Sequence, residues 1–106
     1  MAKPMNRPFL NLVSTGTLVF DGLKAVCWFV QMNSNITAPR FINIAPGQLY
    51  TFVFTQNAIG GHIMRWPTNS LNAPPINPAP NSVTVQHFIA DMGGTMLANI
   101  PPTGAL

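Results

Sequence analysis

A few side chains in this 106-residue chain have the types from which catalytic or metal sites are built. They are Asp21, Asp91, His62, His87 and Cys27. The two aspartates are the only carboxylates, and a glycoside hydrolase would need both of them on opposite sides of one cleft. Asp21 precedes Gly22, and Asp91 stands just before Gly93-Gly94. Aspartate at such positions accepts backbone hydrogen bonds in turns, so the sequence predicts turn residues here rather than an acid-base pair.

The histidines and the cysteine follow no recognised metal-ligand spacing. His62 follows two glycines, which predicts a surface position, whereas the apolar neighbours of His87 predict a core or interface position. A histidine between subunits could make a pH-sensitive contact. The chain has no Gly-x-Ser-x-Gly elbow, phosphate loop or dinucleotide fingerprint. We therefore expect no enzyme activity, no catalytic residues, no metal and no cofactor.

Aromatic side chains offer a second kind of chemistry, since a row of rings can stack on sugars as in lectins. The candidates are Trp28, Tyr50, Phe52, Phe54 and Trp66. Aromatic residues at alternate positions of a strand normally face the interior. The pattern therefore predicts a core rather than a carbohydrate platform.

Charged residues make up only 7% of the chain, where about 25% is usual. A free monomer of this size normally keeps a charged surface for solubility, so we expect partners to cover much of this one. The net charge is +3, but the five basic residues are scattered along the sequence, which disfavours nucleic acid as a partner. The single cysteine excludes an internal disulfide.

The length predicts one domain. Its longest apolar run, Ala25 to Val30, is far shorter than the roughly 20 residues that cross a bilayer, and the first residues lack the apolar segment of a signal peptide. We therefore expect a protein made in the cytoplasm with no membrane partner.

The clearest strand pattern covers residues 48–56, where Tyr50, Phe52 and Phe54 alternate with smaller side chains. Pro46-Gly47 predicts a turn into this strand and Gly60-Gly61 a turn out of it. The segment 62–66 is then predicted to return antiparallel and complete a hairpin.

Further strands are predicted at 9–12, 17–20, 24–32, 40–44, 82–91 and 95–100, with a hairpin turn at Asp21-Gly22. Seven or eight short strands with no helical period are typical of an all-β fold. We expect a single antiparallel β-sandwich or jelly-roll-like domain over residues 9–106.

Residues 1–8, which contain two prolines and two cations, are predicted to form an extended N-terminal arm that docks on neighbours or is simply a loose terminus. The proline-rich segment 68–80 is predicted to be a surface loop that contacts a neighbouring subunit or only covers the domain. The candidate assembly contacts are Lys3, Pro4, Arg7, Pro8, Phe9, Pro74, Pro75 and Pro78.

One stretch resembles a β-sandwich module of tailed-phage structural proteins, which occurs in head fibres, tail fibres, spikes and capsid decoration proteins. The resemblance covers roughly residues 35 to 95. It is carried by Asn35-Ile36-Thr37, Pro46-Gly47, the run Tyr50 to Asn57, Gly60-Gly61, Trp66-Pro67, Asn81 to Val85 and Phe88. The chain departs from the module at 90–94, which reads Ala-Asp-Met-Gly-Gly where the module has an aromatic ending, and at its proline-rich 70–80 segment.

The resemblance implies a bacteriophage virion protein without enzyme activity. Together with the shortage of charge, it predicts a capsid decoration or cement protein. Such a protein would be a homotrimer on the capsid surface, binding the major capsid protein across its subunit junctions. The alternative is the receptor- or glycan-binding head of a fibre or spike.

Overall fold

The computed structural model describes residues 8–98, and these form short strands without any helix. The strands are β1 (Phe9–Val13), β2 (Val19–Asp21), β3 (Cys27–Met32), β4 (Arg40–Ile42), β5 (Leu49–Gln56), β6 (Ser70–Leu71), β7 (Val83–Ala90) and β8 (Met96–Ala98). The predicted all-β class is confirmed. In the described range, no helix is long and apolar enough to cross a membrane.

Six of the strands form one mixed sheet in the order β1-β3-β5-β7-β8-β6, and β2 pairs with β4 in a second sheet. Only the β5–β7 and β7–β8 pairings are antiparallel, so the predicted antiparallel arrangement was wrong for the other four. The reason is the path of the chain. It leaves the large sheet after β1 and again after β3 to make β2 and β4, and such crossover connections return the next strand in parallel.

The strand β5 lies in the middle of the large sheet, between β3 and β7. A turn at Pro46-Gly47 leads into it, with Gly47 at a φ of 80° and the Gln48 N–H donating to the Ala45 carbonyl at 3.1 Å. Because both edges of β5 are occupied, the predicted hairpin with residues 62–66 was wrong. That segment makes only an isolated bridge, between Ile36 and Met64. The hairpin predicted at Asp21-Gly22 was also wrong, because β2 pairs with β4.

One side of the six-stranded sheet, here called the inner face, is buried. It consists of Trp28, Val30, Met32, Tyr50, Phe52, Phe54, Gln56, Gln86, Phe88, Ala90 and Met96. The small sheet covers it with two rings: Phe20 lies 5.0 Å from Phe52, and Phe41 lies 5.3 Å from Phe52, between ring centroids. The core therefore lies between the two sheets.

Loops cover the rest of the inner face, and the buried side-chain amide of Gln56 holds them in place. The Gln56 Nε2 donates to the carbonyls of His62, at 2.7 Å, and Asn77, at 3.2 Å, while its Oε1 accepts the His62 N–H at 3.3 Å. The segment 68–80 contributes buried Ile76 to the core and contains β6. The segment predicted to be a surface loop therefore also pairs in the large sheet, at Ser70–Leu71 beside β8.

Candidate interaction surface

The opposite side of the large sheet, here called the outer face, carries no second layer among the described residues. On β1, β3, β5 and β7 it is formed by alternate residues: Phe9, Asn11, Val13, Cys27, Phe29, Gln31, Leu49, Thr51, Val53, Thr55, Val83, Val85, His87 and Ile89. Leu97 of β8 and Leu71 of β6 continue the same side of the sheet beyond Ile89. Apart from half-buried Val53, its aliphatic and aromatic members on these four strands are well exposed, for example Val83 at 59%, Val85 at 53% and Phe29 at 41%. An apolar surface of this extent is typical of an interaction site.

The strand register arranges the outer face in rows that run across the sheet. One row is Asn11, Phe29, Val53 and Val85, and the row beside it is Phe9, Cys27, Thr51 and His87. The first row has three apolar members, whereas the second combines Phe9 with the smaller or more polar Cys27, Thr51 and His87. The Thr51 hydroxyl lies 3.0 Å from the His87 Nδ1, so these two polar side chains satisfy each other on the surface.

No Asp, Glu, Lys or Arg side chain lies on the outer face among the described residues. Arg40 and Asp21 lie on the small sheet, on the other side of the domain. Lys24, Arg65 and Asp91 lie outside the strands of the large sheet. The described Asp, Lys and Arg residues therefore lie outside this apolar surface.

A depression of about 740 Å³ indents the outer face, lined by Phe9, Val26, Cys27, Phe29, Leu49, Thr51 and His87. Partial burial here raises the pKa of the Cys27 thiol, which keeps it protonated and poorly nucleophilic at neutral pH. The depression has an apolar wall and no ionised group, so it is suited to receive an apolar side chain rather than to perform chemistry.

One side of the outer face ends at β1, an edge strand of the large sheet. The strand is exposed along most of its length, and no charged residue or proline interrupts it. Phe9 packs edge-on against Phe29 at 5.7 Å between ring centroids, which fixes both rings at the rim of the face. Natural edge strands are usually protected by charge, proline or a bulge. None of these occurs between Phe9 and Val13, and no described strand pairs with the outer edge of β1.

The predicted assembly contacts that the structure describes lie in two places. Lys3, Pro4 and Arg7 lie outside the described residues. The Pro8 carbonyl accepts the Val26 N–H at 3.0 Å, which holds this residue beside the segment that leads into β3. Of the remaining candidates, Phe9 is on the outer face.

Pro74, Pro75 and Pro78 are exposed but lie in the loop that covers the inner face. This loop is tied down by the Trp66 Nε1, which donates to the Pro74 carbonyl at 2.9 Å, and by the Gly61 N–H, which donates to the Pro78 carbonyl at 2.7 Å. The structure therefore separates these prolines from Phe9, on opposite layers of the domain.

The two aspartates lie in turns. The Asp21 Oδ1 accepts the Leu23 N–H at 2.9 Å and the Asn43 amide at 3.0 Å. These bonds, the one from Asn43 first, lower the pKa of the Asp21 carboxyl. The Asp91 Oδ1 accepts the Gly93 and Thr95 N–H groups, each at 2.9 Å. Each carboxylate is thus engaged in holding its own turn.

The two histidines have different settings. His62, predicted on the surface, is half-buried, with its Nε2 3.2 Å from the Asn57 Oδ1. His87 is exposed on the outer face, so the core alternative was wrong for it, and the interface alternative stays a prediction. No group of three metal-ligating side chains occurs among residues 8–98. Trp28, Tyr50, Phe52 and Phe54 are buried and cannot form a sugar-stacking platform.

Reasoning from the sequence missed the outer face as the main candidate site. The signal was present in β7, where Val83, Val85 and Ile89 share one side and predict burial, while the other side carries Gln86 and Phe88. The structure buries the second side and exposes the first. The sequence alone could not decide between them because both sides contain apolar residues.

Comparison with known proteins yields no match to a protein family, to a curated protein or to a solved structure.

Proposed function

We propose that this chain is a non-enzymatic structural protein of a tailed-phage virion. It decorates the capsid surface as a cement protein and works as a homotrimer that binds the major capsid protein across subunit junctions. The phage setting and the copy number come from the sequence resemblance. The observation that carries the structural role is the outer face, an exposed apolar surface without ionised groups.

The shortage of charge supports the same role. With 7% charged residues, the chain has few groups that would keep it dispersed as a monomer. A protein that works inside an assembly does not need them on the surfaces that its neighbours cover. The outer face is such a surface, and the open edge of β1 continues it.

We assign the fold to the β-sandwich or jelly-roll type, in which the six-stranded sheet is the complete layer and the β2–β4 sheet a reduced one. The ring contacts of Phe20 and Phe41 with Phe52 support this assignment, because they join the two sheets face to face. A reduced layer on one side leaves the other side of the large sheet free for contacts with other subunits.

The protein acts by binding alone and carries out no chemical reaction. A protein that binds only the closed shell stabilises it by mass action, and each bound copy opposes the separation of the capsid subunits beneath it. No proton transfer or covalent step is needed, which agrees with the turn roles of both aspartates.

Binding to particles tests the proposal. Purified chain is mixed with empty phage capsids stripped of decoration, and the bound fraction is measured by co-sedimentation together with the temperature at which the shells open. We expect saturable binding and a raised opening temperature. Failure to bind, with the chain folded, would contradict the proposal.

A matched deletion tests the arm. Removal of residues 1–7 keeps Pro8, whose carbonyl pairs with Val26, so the domain should stay folded while particle binding weakens. Unchanged occupancy would remove the arm from the mechanism.

A receptor- or glycan-binding head of a fibre or spike is the second candidate, and the 740 Å³ depression is the feature that favours it. Its apolar lining fits a sugar poorly. Binding of the purified chain to host cells or to a glycan array, without affinity for capsids, would reverse the order of the two proposals.

A further inference from the structure

We propose that the edge strand β1 pairs with β1 of a second copy of this chain, antiparallel, around a two-fold axis that passes beside Asn11. The two large sheets then continue into each other through their β1 edges. The inference goes beyond the proposed function, because a two-fold contact cannot close a ring of three. It would instead join a chain of one trimer to a chain of another.

Half of the backbone groups of β1 point away from the sheet. The Ser14 N–H, directly after the strand, donates to the Gln31 carbonyl of β3 at 3.0 Å. Backbone groups of successive residues in a strand point to alternate edges, so the even-numbered residues of β1 bond to β3. The N–H and C=O groups of Phe9, Asn11 and Val13 therefore face outwards, where no described strand pairs with them.

The residue pattern of β1 is self-complementary, and this selects a second copy as the partner. The strand reads Phe-Leu-Asn-Leu-Val, with apolar residues placed symmetrically about Asn11. Antiparallel pairing through Asn11 sets Phe9 opposite Val13 of the second copy, and Leu10 opposite Leu12 of the second copy. An aromatic ring beside a β-branched side chain is a favourable cross-strand pair. Phe9 is 58% exposed and Val13 is 57% exposed, so both side chains lose contact with water.

Asn11 fixes the register of the two strands. It lies opposite its own copy, where two side-chain amides, each with a donor and an acceptor, hydrogen-bond to each other. The outward backbone groups of Phe9, Asn11 and Val13 then form hydrogen-bonded pairs with those of the second copy. Sliding the strands to the next hydrogen-bonded register would set Asn11 opposite Phe9 or Val13. An amide covered by an apolar side chain without a partner costs free energy, so the symmetric register is favoured.

Other partners fit this edge less well. An unrelated strand could use the same backbone groups, but it would need a polar residue at its centre and apolar residues on both sides to match β1. No charged residue or proline in β1 opposes pairing with an identical strand. The opposite edge strand of the sheet, β6, has only two residues and offers fewer backbone groups. The pairing is therefore assigned to β1.

A cysteine at the axis tests the register. Cys27 is first replaced by serine, so that each variant holds one thiol. In the proposed pairing, the Cα atoms at the two Asn11→Cys positions lie about 5.5 Å apart, within the range of a disulfide. The two Val13→Cys positions are offset by about 13 Å along the strands, which is too far. After mild oxidation, non-reducing electrophoresis should show a covalent dimer for Asn11→Cys and a single chain for Val13→Cys.

Molar mass tests the pairing without a cross-link, by light scattering during size-exclusion chromatography. Asn11→Lys sets two ammonium groups directly opposite each other, which disfavours pairing. Ile59, 80% exposed in a loop, supplies the control Ile59→Lys with the same added charge. We expect an even number of chains for wild type and Ile59→Lys, and half that mass for Asn11→Lys. Near-ultraviolet circular dichroism checks the fold through the stacked Trp28 and Phe52 rings, 4.8 Å apart.

Several results would overturn the inference. They are a wild type of one chain or of three, a folded Asn11→Lys variant with the wild-type mass, and equal cross-linking of Asn11→Cys and Val13→Cys. A single-chain wild type whose outward β1 amides exchange slowly with deuterium would assign the edge to another segment of the same chain. If Asn11→Lys does not fold, the two cysteine variants decide.

One further variant separates this contact from the outer face. Val85 lies in β7, with β3 and β5 between it and β1. A carboxylate at this position opposes burial of the outer face, so Val85→Glu should leave the Asn11→Cys cross-link intact. Capsid binding is a separate readout. Paired β1 strands in a protein that never binds capsids support the inference and contradict the cement role, and capsid binding without the pairing does the reverse.

Discussion

The two faces of the six-stranded sheet are built from the same strands and similar side chains, yet they have opposite environments. Phe52 on the inner face is completely buried, whereas Phe29, on the neighbouring strand, is 41% exposed on the outer face. The difference lies in what the chain places over each side. The β2–β4 sheet and two loops cover the inner face, and no described element covers the outer one.

This comparison separates the packing that holds the domain together from the surface that the proposed partners would cover. The inner face has a dense set of rings in edge-on and stacked contacts, with Phe52 within 6.1 Å of Trp28, Phe20, Phe41, Phe54, Phe88 and Trp66. Such packing defines one folded state. The outer face is apolar without being packed, which is the condition of a surface that gains stability only on association.

The largest difference is expected from one phenylalanine on each face. Phe52→Ala should lower the free energy of unfolding by about 3–5 kcal/mol, because it leaves a cavity among packed rings. Phe29→Ala should cost about 1 kcal/mol or less at low protein concentration, where only one subunit's contacts count. Urea unfolding measures both.

Measuring both variants at several protein concentrations makes the comparison of Phe52→Ala with Phe29→Ala more specific. The cost of Phe29→Ala should grow as the concentration is raised, since association stabilises the folded state by mass action, whereas the cost of Phe52→Ala should stay constant. Equal costs for the two variants at low concentration would contradict the distinction between the faces.

A smaller difference is expected from two adjacent glycines in the loop over the inner face. Both have positive φ, 71° for Gly60 and 78° for Gly61, so alanine is strained at either position. A Cβ at Gly60 would also lie 2.7 Å from the Pro78 carbonyl oxygen and from the Pro80 nitrogen, whereas at Gly61 the space is open. Gly60→Ala should therefore cost about 2 kcal/mol or more, and Gly61→Ala about 1 kcal/mol, by thermal unfolding. Equal losses of stability in Gly60→Ala and Gly61→Ala would mean that this loop does not pack tightly on the segment that contains Pro78 and Pro80.

The β-rich class could be predicted from the sequence because alternation and turn residues are local signals. The alternation of Tyr50, Phe52 and Phe54 and the Pro46-Gly47 turn are examples. Pairing could not be predicted in the same way. Whether β5 pairs with residues 62–66 or with β7 depends on long-range contacts, and a crossover through β2 or β4 leaves no mark on the strands it joins.

The candidate surface was harder to predict than the fold. Along β7, Val83 and Val85 are more hydrophobic than Gln86 on the opposite side, so local pattern favours the wrong side for the core. Gln86 is tolerated inside because its Nε2 donates to the His87 carbonyl at 2.8 Å. A buried polar group with a partner, beside an exposed apolar face, cannot be recognised from residue types alone.

The smallest effect on stability is expected from lowering the pH, through the carboxylate of Asp21. The lowered pKa of Asp21 in the folded chain means that its carboxylate stabilises the fold above its unfolded pKa. That stability is lost as the pH falls through the folded pKa. Asp21→Asn keeps the shape and one acceptor oxygen, so its stability should fall less steeply than that of wild type below about pH 5. Because Asp21 lies on the small sheet, the molar mass should not change with this substitution. A different molar mass for Asp21→Asn would mean that the small sheet, and not only the outer face, affects association.

The most direct test uses the single thiol, which lies on the outer face. Cys27 is half-buried there and is the only cysteine in the chain, so maleimide labelling reports on that surface alone. At a fixed alkaline pH, which populates the thiolate, the labelling rate of the wild type should fall as the protein concentration rises, and Val85→Glu should keep the rate of the dilute wild type at every concentration. A wild-type rate that equals that of Val85→Glu and does not change with concentration would show the outer face to be uncovered and contradict the account.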